Sequence, residues 1–229
     1  MAAVPTIDVV NESTVLGDAD VTPVVHALHA QVADDFRPHW DAGCRLVQAK
    51  AIGATSWGLV ILDDSDQAGA LGYHDLTANG LPLGTVFAKD VLADGMSWTV
   101  TASHELLEML ADPWIDAAVQ VASSTFYSLE VCDACEDDSF GYTIQGVEVS
   151  DFVLPAWFRS DAATGPFDQR GHITQPLELL TGGYIGEWTP SRGWTQKVAD
   201  EHAPVSRRIP LRQKKHEGVA LTRSTRGAV

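Results

Sequence analysis

The chain has 229 residues, 45% hydrophobic and 20% charged, the proportions of an ordinary water-soluble globular protein. Its net charge of −16 is uneven, with 8 basic and 30 acidic side chains in residues 1–205 against 7 basic and 1 acidic in residues 206–229. So acidic a body repels phosphate backbones and anionic membranes, which argues against nucleic acid or membrane as its partner, and a chain this long buries roughly 70–75% of its unfolded surface without a disulfide or structural metal.

Residues 6–10 (Thr-Ile-Asp-Val-Val) read as a first strand, not as a signal peptide, because no basic run precedes them and Pro5 and Asp8 interrupt the apolar residues. Thr22-Pro23 then predicts an N-cap with proline at the first helical position. Val24, Val25, Leu28, Val32 and Phe36 form the buried stripe of this helix, which is expected to stop before Pro38. His26 and His29 lie on the same helix and read as surface residues. Residues 45–50 and 57–62 read as strands, the second (Trp-Gly-Leu-Val-Ile-Leu) apolar throughout and so central. Asp63, Asp64 and Asp66 close it in a solvated loop that lacks the spacing of an EF-hand. Residues 72–74 and 81–88 read as short strands on either side of the hairpin dipeptide Asn79-Gly80, with Pro82 marking 81–88 as the edge strand.

Ser97 is a candidate N-cap for a helix over 98–111, stopped by Asp112-Pro113. That helix contains Ser103-His104-Glu105-Leu106-Leu107-Glu108. Residues four apart share a helix face, so His104 and Glu108 project together with Glu105 at the same rim, while Leu106, Leu107 and Leu110 face the core. This is the layout of the HExxH metal helix with glutamate in the second ligand position. His104 and Glu108 then bind the ion, and Glu105 takes the proton from the water that the ion activates. Zinc accepts a carboxylate there, although the added negative charge weakens its pull on the water.

The segment Leu129-Glu130-Val131-Cys132-Asp133 follows about twenty residues later. It resembles the later element on which some zinc peptidases carry a third, glutamate ligand, often with an aspartate just after. That resemblance implies Glu130 as third ligand and Asp133 as acceptor for the other N–H of His104. Asp133 and Asp112 remain rivals for the third position. The order strand, helix, two strands, edge hairpin and metal helix resembles the N-terminal half of zincin metallopeptidases. The fold it implies is α+β: a mixed twisted sheet with an edge strand, packed on an N-terminal helix and an active-site helix, then an irregular strand- and loop-rich C-terminal half. The acidic motifs together, His104-Glu105-x-x-Glu108-x-x-x-Asp112-Pro113, Glu130-Val131-x-Asp133-x-Cys135 and Tyr142-Thr143-Ile144-x-Gly146-Val147, are similar to the plant exordium (phosphate-induced) family and related bacterial peptidase-like proteins. The likeness spans residues 57–158 and departs from the family pattern at Ala111 and Cys132, neither a proposed ligand. It implies a zincin-type fold and metal site.

For an oxyanion the candidates are Tyr142 and His172. Asp133, Glu136, Asp137 and Asp138 offer hard oxygen ligands that suit Ca2+. Cys132 and Cys135 form a C-x-x-C, but flanking acids raise thiol pKa values and blunt a redox role. The chain has only one other cysteine, Cys44, an odd total that does not suit a disulfide framework. Trp157, Trp188 and Trp194 read as packing residues. The expected organisation is one domain over 1–205, divided at residue 113, followed by a basic mobile tail over 206–229. No run of 18 apolar residues occurs, so no spanning helix is expected, and the expected location is the cytoplasm. The function expected is metal-dependent, zinc-type hydrolysis of peptide or amide bonds in a peptide or protein substrate. The alternative is a non-catalytic binding or structural module of the same fold within a larger assembly.

Overall fold

The apolar runs form strands where their periodicity places them. In the computed structural model, which describes residues 4–199 apart from Ala68, β1 (Thr6–Asn11) pairs in parallel with β2 (Arg45–Ala49) and with β3 (Trp57–Leu62). β5 (Pro82–Phe87) lies parallel to β3, and β4 (Gly72–Leu76) closes the sheet antiparallel to β5, giving the order β2-β1-β3-β5-β4. The central β3 is the all-apolar run, with Leu59 and Ile61 fully buried on one face and Val60 and Leu62 partly buried on the other. The basic tail lies outside the described residues.

The edge strand differs from expectation: it is β4, and residues 82–87 are internal. Pro82 misleads because it opens β5 opposite Leu76, at the end of the ladder, where a missing N–H breaks no interior hydrogen bond. The turn joining the two strands is held by Thr77 N–H on Leu81 O (2.7 Å) and Gly80 N–H on Thr77 O (2.8 Å).

Helix α1 (Asp18–Ala30) starts earlier than Thr22-Pro23 suggests, with Gly17 as N-cap and Pro23 inside it. Asp20 Oδ2 accepts the Gly17 N–H at 2.8 Å, and Asp18 and Asp20 place negative charge in the first turn, which offsets the hydrogen bond that Pro23 cannot make. The helix also runs past its expected end through a π turn (Gln31–Phe36) into α2 (Arg37–Trp40). The Arg37 N–H reaches back five residues to Val32 O, and this widened turn accommodates Pro38. Val24, Val25, Leu28, Val32 and Phe36 are buried as the stripe predicts, and His26 and His29 face solvent.

After β5 come α3 (Ala88–Ala93) and α4 (Trp98–Ala111). The latter packs on β4 and β5 while α1 packs on β1 and β2, so the two helices share the sheet between them. Gln31 ties them together: its Nε2 donates to Ser150 O (2.8 Å) and its Oε1 accepts the Ser103 hydroxyl (2.7 Å). Close approach of α4 to the edge depends on Gly72, where a Cβ would stand 2.8 Å from both Glu105 Oε1 and Thr101 Cγ2.

Beyond α4, β6 (Ala118–Ala122) and β7 (Thr125–Ser128) form a hairpin, and β8 (Tyr142–Ile144) and β9 (Val147–Val149) a second, smaller one. β10 (Tyr184–Thr189) and β11 (Gly193–Val198) join the first pair in an antiparallel sheet, β11-β10-β7-β6. The architecture is therefore α+β. One continuous set of buried side chains runs from Ile7 in the first sheet to Ile185 in the second, with Trp157 among its largest members. No helix among the described residues is long and apolar enough to cross a membrane.

Candidate metal centre

Helix α4 occupies the span predicted for it, with Ser97 at the N-cap position. The Ser97 side chain does not cap; its backbone N–H is taken instead by Asp138 Oδ2 at 2.7 Å. The helix is buried on nearly all sides, including the face that carries His104, Glu105 and Glu108. Residues 130–135 cover that face, and the Cys132 N–H donates to Glu108 Oε1 at 3.1 Å.

Under this cover the side chains converge. His104 Nε2 stands 3.2 Å from Glu108 Oε2 and 3.4 Å from Asp133 Oδ1. Donor atoms that share one tetrahedral zinc ion at its usual bond lengths lie about 3.4 Å apart, so His104 Nε2 stands at ligand spacing from each of these two carboxylate oxygens. Asp133 thus faces the nitrogen that Glu108 faces, and not the opposite one; His104 Nδ1 is buried without a hydrogen-bond partner. Cys132 Sγ joins His104 and Glu108 in a group of donor atoms all within 4.8 Å of one another.

A second imidazole, which sequence reasoning missed, enters from the edge strand. His74 Nδ1 lies 3.7 Å from Glu105 Oε2 and 3.9 Å from Glu108 Oε2, and its Nε2 lies 3.9 Å from Glu130 Oε2. Glu130 thus faces the nitrogen of His74 opposite to the one that faces Glu105, and its carboxyl also lies beside Glu108. His74, His104, Glu105, Glu108, Glu130, Asp133 and Glu136 are each no more than 6% exposed.

So many buried acids distort one another's protonation. Burial, with Glu108 and Asp133 nearby, pushes Glu130 well above the usual carboxylate range, and burial with Glu108 does the same to Asp133. Burial opposes charge on Glu108 too, yet His104 beside it holds its carboxyl below the ordinary value. His104 in turn is held well above its usual range, because Glu108 and Asp133 outweigh its own desolvation. Without a cation the centre must hold protons, and a divalent ion takes their place when ligands deprotonate to bind it. The donor set fits such an ion.

The other candidates lie elsewhere. The Tyr142 hydroxyl donates to Asp35 Oδ2 (2.7 Å) and accepts from Gln31 Nε2 (3.2 Å), a link between β8 and the first helix. His172 is exposed, with its ring 5.4 Å from that of Phe140 and its backbone N–H on Asp168 Oδ2. Asp112 accepts the N–H groups of Asp116 and Ala117, which employs it in the turn after α4. Of the acids at 133–138, Asp137 accepts the Ser139 N–H, Asp138 accepts the Ser97 N–H, and Asp133 points to His104. Cys44, Cys132 and Cys135 are free thiols; burial and neighbouring carboxylates push the thiols of Cys132 and Cys135 well above the ordinary value, which suits inert and not redox cysteines.

Tyr184 is a buried tyrosine within electrostatic reach of these acids. Burial, then Asp133, Glu136, Glu108 and Glu105, raise its phenol well above the usual value and so keep it protonated. Gly183 places it: a Cβ there would stand 2.4 Å from Ala134 O, so only glycine lets this strand pass so close to the turn at Asp133–Cys135. Gly182-Gly183 ahead of an aromatic strand was the available signal.

Comparison with protein-family models, with curated proteins and with solved structures found no match to this chain.

Proposed function

We propose that this chain is a zincin-like metal-dependent hydrolase of peptide or amide bonds. The observation that carries this reading is the setting of His104 Nε2, which stands 3.2 Å from Glu108 Oε2 and 3.4 Å from Asp133 Oδ1, with Glu105 the residue next to His104. The sheet order with an antiparallel edge strand beside α4 supports the zincin-like fold and the exordium-type resemblance of the motifs. A divalent ion, zinc by its donor set, supplies the Lewis acidity that brings the pKa of water to about 7. His104, Glu108 and Asp133 hold it, Glu105 accepts the proton, and Tyr184 offers an O–H donor, the role expected of Tyr142. An extended peptide substrate adds to the open side of β4.

One observation favours a second reading, a non-catalytic metal-holding module: every ligand is buried, so a substrate needs residues 130–135 to move aside. The two readings separate in one experiment. Full-length protein loaded with one equivalent of zinc is incubated with a peptide library, beside Glu105→Gln. Hydrolysis by the native chain that falls about 10²–10⁴-fold in the variant, with zinc content unchanged, is expected of the hydrolase. A zinc-loaded native chain that cleaves nothing overturns it in favour of the module, and a chain that takes up no zinc overturns both.

A further inference from the structure

The two imidazoles face different acids. His104 looks to Asp133 and Glu108; His74 Nδ1 looks to Glu105 and Glu108, and its donor atom forms with theirs a second group of ligand-type atoms within 4.8 Å of one another. Glu108 belongs to both groups. Both imidazoles face the same Glu108 oxygen, Oε2, because Oε1 accepts the Cys132 N–H, and a single carboxylate oxygen placed between two cations can bridge them, as in two-metal hydrolytic sites.

We infer that the centre holds a second divalent cation, bound by His74 and Glu105 and bridged through Glu108 to the ion on His104 and Asp133. Three independent features support this. His74 Nε2 is buried with no hydrogen-bond partner, an arrangement that costs free energy in a merely structural histidine. Glu130 Oε2, 3.9 Å from that nitrogen, is placed to accept a hydrogen bond from its N–H after a small shift, which leaves Nδ1 as the ligand atom, the usual pairing of a metal histidine with a carboxyl group. Finally, Glu105, Glu108, Glu130, Asp133 and Glu136 are five buried acids, and one divalent ion leaves them with an excess of negative charge that a second reduces.

The inference rests on the metal-centre reading above, and it adds a consequence. A carboxylate that ligates an ion is a poor proton acceptor, so filling the His74 site withdraws Glu105 from service as the base. The one-ion state is then the active one and the two-ion state is silenced.

Zinc content settles the matter. Full-length protein is stripped with a chelator, dialysed against graded free Zn2+, and analysed for metal per chain beside His74→Gln and His74→Ala, with circular dichroism as the check that each is folded. The native chain is expected to bind two zinc ions in two steps, hydrolysis is expected to fall as the second enters, and each folded His74 variant is expected to stop at one. A native chain that saturates at one ion overturns the second site and leaves the first intact. Two ions retained in a folded His74 variant, or hydrolysis undiminished by the second ion, also overturns it. If neither variant folds, the native titration still decides, and absence of any zinc removes both sites.

Discussion

The molecule buries carboxylates in two places and neutralises them differently. Asp151 and Asp168 are fully buried, but backbone amides serve them: Phe152 N–H donates to Asp151, and His172 and Ile173 N–H groups donate to Asp168. Burial, with Asp168 alongside, pushes Asp151 up to about 8, so this pair settles its charge with a proton. At the metal centre the acids face two imidazoles, one backbone N–H reaches Glu108, and the donor atoms have ligand spacing. The first pair is served by amides and a proton, whereas His74 Nε2 and His104 Nδ1 are left unpaired, the setting in which we propose a cation.

The strongest way to break this contrast is to remove one acid from each place. Glu108→Ala is expected to reduce zinc content to background and abolish hydrolysis, whereas Asp168→Ala is expected to destabilise the fold while each folded chain keeps its zinc. Equal zinc content in the two variants would erase the distinction.

Next in size is Gly183→Ala, which pushes a methyl group into Ala134 O and so disturbs the turn that carries Asp133. The expected loss is about 3 kcal/mol in urea unfolding, with weaker zinc binding.

Asp151→Asn sharpens the comparison through pH. Unfolded, Asp151 titrates near the ordinary value of about 4; folded, it titrates at about 8. Between these values the native state holds one more proton than the unfolded state, so this group's stabilisation is complete below about pH 4 and is lost as pH rises towards 8. Asparagine cannot ionise, so the stability of the variant relative to the native chain is expected to rise across pH 4–8 by on the order of a few kcal/mol and to level off above it. Urea unfolding across that range reads the slope, and parallel profiles would refute the shared proton.

The smallest effect belongs to the surface pair: His26→Ala with His29→Ala is expected to leave zinc content unchanged and stability within about 0.5 kcal/mol.

Local periodicity carried much of this fold. Helix α4, its His-Glu-x-x-Glu face, the central β3 and the stripe of α1 all follow from short-range spacing. What stayed hidden depends on non-local order. His74 looked like part of a minor strand, because only the placement of β5 between β3 and β4 makes that strand the edge beside α4. The side of His104 that Asp133 meets is set by the 3₁₀ turn at Asp133–Cys135, which has no periodic signature. Tyr184 is placed by the pairing of β10 with β7, about sixty residues away in the chain, a link that local spacing does not show, whereas Tyr142 lay closer in sequence to the metal helix.

Cys132 has one further consequence. Its backbone grips Glu108 while its thiol is wholly enclosed, so no alkylating reagent can reach the sulfur unless that stretch lifts away from the helix. The labelling rate of the native chain therefore clocks how often the lid over the ligands opens, and bound metal should slow that clock.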